Sequence, residues 1–404
     1  MKTNLMFLCA ASLLWGSLVL HAEMGPTPSA LAAMLTSQYA TTMVPAPAAT
    51  EADLSRVFAN VDRGAALQPD DLDDVINLAC EACTQPNAFR MATRWDASGA
   101  GNAVHISEGF QEFLHMLFGT NIPMHTLYAD MLRYAAPIDA EKYAAAYRRC
   151  VVAPAPAGQV LHASFLRYEE TTPNPDAGSA YTYTSACTFI RTTIAGHDAL
   201  IFTARVLAPS SIGLRGVGVG NPLVNLYYYS NRAGTNLRGL SWADSQIYVT
   251  RLLSIFVNLG NDETALMSCS WVRAGWNGFN VVAADSIYQS LSRSLQRMRL
   301  VREYPRVTSR ALASCAARVR LMSAREVDAM FDRYCAFVRY CKDNESSSVM
   351  PWVRTPLLKQ LYDATTLAQT ADYQKRALIL QEYVRIIAGH PTLSHEDNFH
   401  LYAN

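Results

Sequence analysis

Apolar side chains recur at two spacings along this chain, and the spacing changes where the composition changes. Leu5 to Leu20 is an unbroken uncharged, mostly apolar run of sixteen residues. From 51 to 150 the pattern is helical. Pro69 stands where a helix favours its first residue, Asp70, Asp71, Asp73 and Asp74 complement the helix N-terminus, and Val75, Ile76 and Leu78 supply the apolar face. Further helices are expected over 107–117, 125–134 and 139–150. "VVAPAPAG" then interrupts the pattern.

Beyond that break the residues become β-branched and aromatic. "QVLHASFLRYEE", "YTYTSACTFIRTTI" and "HDALIFTARVLAP" read as three antiparallel strands separated by turn-forming residues. Residues 241–258 read as a helix that buries Ile247, Leu252, Leu253, Ile255 and Phe256. "ALMSCSWVR" and "FNVVAAD" read as a second strand pair around a turn at Asn277-Gly278, since both residues tolerate positive φ. From Ser286 onward the spacing is helical, with a break at Pro305. A capping box of Ser323 and Glu326 opens a helix through Cys341, and the last helix ends near Ile387. The fold class expected is α+β and mostly helical, with helices around a small antiparallel β-sheet.

Composition refines this division. The opening run has a basic start at Lys2 and a small residue, Ala22, before a polar stretch, which is the layout of a secretory signal peptide over 1–22. A retained, buried N-terminal helix is the alternative. The run is short for a membrane span, which needs about 20 apolar residues, so no stable span is expected in the mature chain. Residues 23–50, rich in Pro, Ala, Ser and Thr, read as an arm or spacer. Helical residues 51–150, a mixed β/helix segment over 158–284, a helical segment over 285–389 and a polar tail over 390–404 complete the division. Export to the extracellular space or envelope follows from the signal peptide, and a place in a virion from the retained helix.

Cysteine usage depends on that compartment. Cys80, Cys83, Cys150, Cys187, Cys269, Cys315, Cys335 and Cys341 remain after the opening run, an even number that suits disulfides in an oxidising space. The spacing does not choose a pairing, and buried thiols in a reducing space are the alternative.

Catalytic and cofactor signatures are weak. Glu108, Glu112 and His115 share a helical face, but the second Glu-x-x-His copy of a di-iron bundle is missing. Gly213, Gly216, Gly218 and Gly220 match neither a dinucleotide fingerprint nor a P-loop and read as a surface loop or bulge. Cys80 and Cys83 form a lone C-x-x-C in a helical setting. His390, His395 and His400 gather in the C-terminal tail, where termini are seldom preorganised. No catalytic residue, metal ligand or cofactor is assigned.

Charge is the strongest signal. Only 17% of residues are charged, and 34 basic side chains balance 34 acidic ones. Yet Arg293, Arg297, Arg299, Arg302, Arg306, Arg310, Arg318 and Arg320 stand close together, while Glu51, Asp53, Asp62 and Asp70, Asp71, Asp73 and Asp74 concentrate near the start. Segregated charge of this kind fixes the register of a protein contact. The expectation is a non-enzymatic structural or binding protein whose partner is itself, a shell-forming capsid-type subunit being a specific version. Arg-rich residues 293–320 holding a polyanion such as nucleic acid is the competing partner. A secreted hydrolase with a site assembled from scattered residues is the competing class.

Overall fold

The computed structural model describes residues 43–389 except 83–86, 129–131, 157, 172–178, 195, 220–225, 231–234, 238–240, 244–245, 276–277, 279, 281, 301–303, 305 and 344–369. The opening run, most of the arm, Cys83, Arg302 and the histidine-bearing tail therefore lie outside the described residues.

The sheet is large, which corrects the expected fold class. Strands β1 (Val44–Pro45), β2 (Asn87–Arg94), β3 (Ala97–Ile106), β4 (Leu132–Pro137), β5 (Val160–Thr171), β6 (Ser179–Ile194), β7 (His197–Val206), β8 (Ser210–Val219), β9 (Leu226–Ser230), β12 (Gln246–Gly260) and β13 (Glu263–Gly275) join in one sheet of eleven. Its main path runs β1-β2-β3-β13-β12-β7-β6-β5-β4, with β8 and β9 off it. A separate ribbon pairs β10 (Thr235–Leu237) with β11 (Ser241–Ala243). Among the described residues only β1 pairs in parallel, on β2. Eight α-helices are present among the described residues.

The longest of the missed strands, β12, has a plain physical cause. A strand covered on both faces needs apolar residues at every position, so its sequence loses the alternation that marks a half-exposed strand. β12 reads "LLSIFVNL", and the structure sends Leu253, Ile255 and Val257 to one core and Phe256 to the other. The expected helix over 241–258 is therefore β11 and β12. The expected helix over 125–134 is turns leading into β4, because the His125 ring accepts a hydrogen bond from the Ala135 amide at 3.2 Å and folds the segment back. The described residues of "FNVVAAD", Asn280 and 282–285, form no strand paired with β13. The Asn280 carboxamide accepts from Ala274 and Val282 amides there instead, and the partner of β13 is β12 through a tight turn at Asn261 and Asp262, φ 51 and 58. The glycine-rich stretch expected as a loop forms β8, paired with β9. β5, β6 and β7 form where expected.

Helices cover both faces. On the first face lie α1 (Ala48–Arg63), a 3-10 turn (Pro69–Asp71) and α2 (Asp73–Ala82). Their Leu54, Val57, Phe58, Leu72, Val75 and Ile76 pack on Ile255, Met267 and fully buried Trp271. On the second face α3 (Phe110–Phe118) buries Phe110, Phe113, Leu114 and Leu117 at helical spacing, and Phe118 meets Phe189, Phe202 and Phe256 at 5.0, 5.4 and 5.6 Å. Each such side chain contributes about 1.5–3 kcal/mol by leaving water. α4 (Ala140–Tyr147), continued by a π turn (Arg148–Val152), and α5 (Ala284–Leu300) share this face.

α6 (Ser309–Leu321), α7 (Ala324–Asp343) and α8 (Asp372–Ile387) extend the second face, with Leu312 of α6 and Val384 of α8 in its core. The capping box at α7 forms as expected, Glu326 accepting from the Ser323 amide at 2.7 Å and the Ser323 hydroxyl accepting from the Glu326 amide at 3.3 Å. Arg376 of α8 ties α6 down by donating to the Val319 and Met322 carbonyls at its C-terminus.

Candidate interaction surface

Residues 48–82 carry eight acids against two bases, and the fold divides those acids by role. Some are consumed inside the protein. Asp53 is fully buried, accepts from the Val75 amide at 3.1 Å and pairs with Arg56, so it caps α2 from a neighbouring helix. Burial pushes its carboxyl up. Glu51 pairs with Arg94 at 2.6 Å and accepts from the Ala92 amide at 2.7 Å, satisfying the edge of β2. Asp62 pairs with Arg251 at 2.8 Å and Arg205 at 3.3 Å. Asp71 pairs with Arg56 at 3.2 Å.

Asp70, Asp73 and Asp74 are different. They make no ion pair among the described residues, and Asp70 and Asp74 are exposed. On α2 the buried stripe is Leu72, Val75, Ile76 and Ala79, so Asp74 and Asn77 point away from the sheet. The result is an acidic outer surface on the first face.

Residues 284–321 reverse the balance, with eight arginines against two acids. Arg293 and Arg297 fall in α5, though their side chains lie outside the described residues. α6 buries Leu312, Cys315, Ala316 and Val319, which turns Arg310 outward. Arg306, Arg310 and Arg320 are exposed and make no ion pair among the described residues. Arg318 lies over the Tyr383 ring at 4.7 Å. At the end of α6 stands Leu321, 81% exposed, the most exposed large apolar side chain among the described residues.

The other expected positions do not converge. Glu112 accepts from the Ser309 amide at 2.8 Å and hydroxyl at 2.9 Å, holding the start of α6, while His115 bonds Gln111 at 2.8 Å. Cys150, Cys187, Cys269, Cys315 and Cys335 are buried and Cys80 half-buried, all six as free thiols. The Cys341 side chain lies outside the described residues. Burial pushes the Cys150 thiol up to about 11 and those of Cys187 and Cys269 up to about 12, so all three stay protonated at neutral pH.

Three polar clusters had no signature in the sequence. Arg191, 1% exposed in its side chain, grips Asp198 through two nitrogens, donates to the Cys150 and Val151 carbonyls and lies 4.8 Å over the Phe110 ring. It walls a cleft of about 540 Å³ between the start of α3 and the β12–β13 turn. Every side of that guanidinium is already engaged, which makes it a wall and not a hook. On β5, Arg167 pairs with Glu169 at 2.7 Å, and Glu170 accepts from Arg133, Tyr168, Tyr373 and Gln374. Near the C-terminus of α1, Arg251 stacks on Trp95. Apart from Arg167 and Glu169, two residues apart on β5, these clusters join distant residues or the two arms of a hairpin, which periodicity cannot reveal.

Comparison with protein-family models finds no match, and comparison with curated proteins finds none either. Among the described residues no helix is long and apolar enough to cross a membrane.

Proposed function

We infer that this chain is a structural or binding protein that self-associates through complementary acidic and basic surfaces and does not act as an enzyme. The observation that supports it is the outer charge left unpaired among the described residues, Asp70, Asp73 and Asp74 on one side of the sheet and Arg306, Arg310 and Arg320 on the other. Intramolecular pairing cannot neutralise groups separated by a full sheet and its helices. A second copy brings both signs together at once. The buried ionisable groups support the same reading, because Arg191, Arg167 and Glu170 are occupied by protein partners.

Sedimentation velocity of the full chain as a function of salt tests this. Association that is strongest at low salt and fades as salt rises is expected, since exposed charges are screened over about 10 Å at moderate ionic strength. A chain that stays monomeric at every concentration and salt overturns the reading. Should that monomer bind heparin with a steep salt dependence, the basic side serves a polyanion instead.

A further inference from the structure

We propose that copies associate head to tail, the acidic side of one on the basic side of the next, so that the assembly grows openly and does not close as a two-fold dimer. This rests on the self-association reading above and specifies its geometry.

The argument starts from the pleat of the central strands. Adjacent residues of β12 face opposite ways, Ile255 toward α1 and α2, Phe256 toward α3. Val75 and Ile76 of α2 join the core of Ile255. Leu295 of α5 and Leu312 of α6 join the core of Phe256. Asp70 and Asp74 therefore look outward from one side of the sheet, and Arg306 and Arg310 from the other.

A two-fold interface uses the same patch of each copy, so its charges must be self-complementary within that patch. Here, among the described residues, Asp70 and Asp74 carry unpaired negative charge on the first side, and Arg306 and Arg310 carry unpaired positive charge on the second. A two-fold contact on either side would set Asp74 near Asp74 or Arg310 near Arg310, like charges that repel. A heterologous contact that sets Asp70 and Asp74 against Arg306 and Arg310 satisfies both signs, and it leaves one acidic and one basic surface free at the ends of every oligomer. Growth then continues until a ring closes or the supply ends.

The experiment uses the full chain and two variants neutralised only at exposed positions, an acidic-side variant (Asp70→Asn with Asp74→Asn) and a basic-side variant (Arg306→Gln with Arg310→Gln). Light scattering after size exclusion at low salt reads the mass, and circular dichroism confirms that each variant folds. The unaltered chain is expected to gain average mass steadily with concentration. Each variant alone is expected to stay at the 44.5 kDa chain mass. Mixed, they keep one intact acidic and one intact basic surface between them, so a one-to-one pair of twice that mass should form and grow no further. An unaltered chain that plateaus as a dimer overturns the head-to-tail geometry while leaving self-association standing. A monomer throughout overturns both.

Discussion

The Arg251 guanidinium lies 4.0 Å over the ring of Trp95, and that ring is carried by a backbone in the left-handed region, φ 52. Trp95 and Asp96 form the two-residue turn between β2 and β3, a place that usually takes Asn or Gly. The ring is kept there by its neighbours, Phe58 at 5.2 Å and Trp271 at 6.1 Å, while Asp62 fixes Arg251 from the other side. Backbone strain and ring packing are therefore opposed at one residue. Trp95→Ala and Trp95→Gly both lose the ring, but only Gly escapes the left-handed penalty. The Gly variant is expected to be more stable than the Ala variant by about 1 kcal/mol in urea denaturation. Equal stabilities would place no strain in the turn.

Glu170 should be the most costly carboxylate to alter. It is 1% exposed and accepts from Arg133 at 3.1 Å, Tyr168 at 2.9 Å and Gln374 at 3.1 Å, and from the Tyr373 hydroxyl. Tyr373 and Gln374 begin α8, so this carboxylate docks that helix on the sheet. Glu170→Ala removes a buried carboxylate from the Arg133 guanidinium and is expected to cost about 3–5 kcal/mol. Tyr373→Phe removes one donor to a charge and should cost about 1.5–3 kcal/mol. Hydrogen exchange of residues 372–387 provides the check: protection there should fall more than in β12 for both variants.

Local signals were readable wherever one short stretch decides the outcome. β5 to β7 lie between turns, the capping box of Ser323 and Glu326 spans one helical turn, and the sign of each charged segment needs no fold. The size of the sheet was not readable, because β12 is apolar on both faces and its spacing mimics a buried helix. The side of the sheet that a charged helix occupies was equally hidden, being a property of the packing of Ile255 and Phe256. Glu170 and Tyr373 are 203 residues apart, and their pairing has no local trace at all.

Side chains of β2 and β13 crowd the backbone of β3 at Gly99. A Cβ there would stand 2.5 Å from Trp271 Nε1 and 2.9 Å from the Met91 Cβ, and the latter is too near its own backbone to swing away. Gly99→Ala is expected to lower stability by about 3 kcal/mol, the upper end for overpacking. Trp271→Phe in the same chain opens the nearer contact, so the double variant should be less destabilised than the two single effects added together. Full additivity in denaturant midpoints would mean that the added methyl does not strike the indole.

His125 should make stability depend on pH. Its ring is buried, and burial holds its pKa near 4 against an ordinary 6.5. Between those values the unfolded chain takes up a proton that the folded chain refuses. The unfolded state thus binds more protons, so stability rises with pH across this window and is lost as pH falls from 6.5 toward 4. Two and a half pKa units correspond to about 3 kcal/mol. His125→Asn retains an acceptor for the Ala135 amide but does not titrate. Carboxylates contribute alike to both chains and cancel in the comparison. Denaturant midpoints at about pH 7 and about pH 4 should show the unaltered chain losing about 3 kcal/mol more than the variant. Parallel pH profiles for the two would show that the ring is already solvated in the folded state.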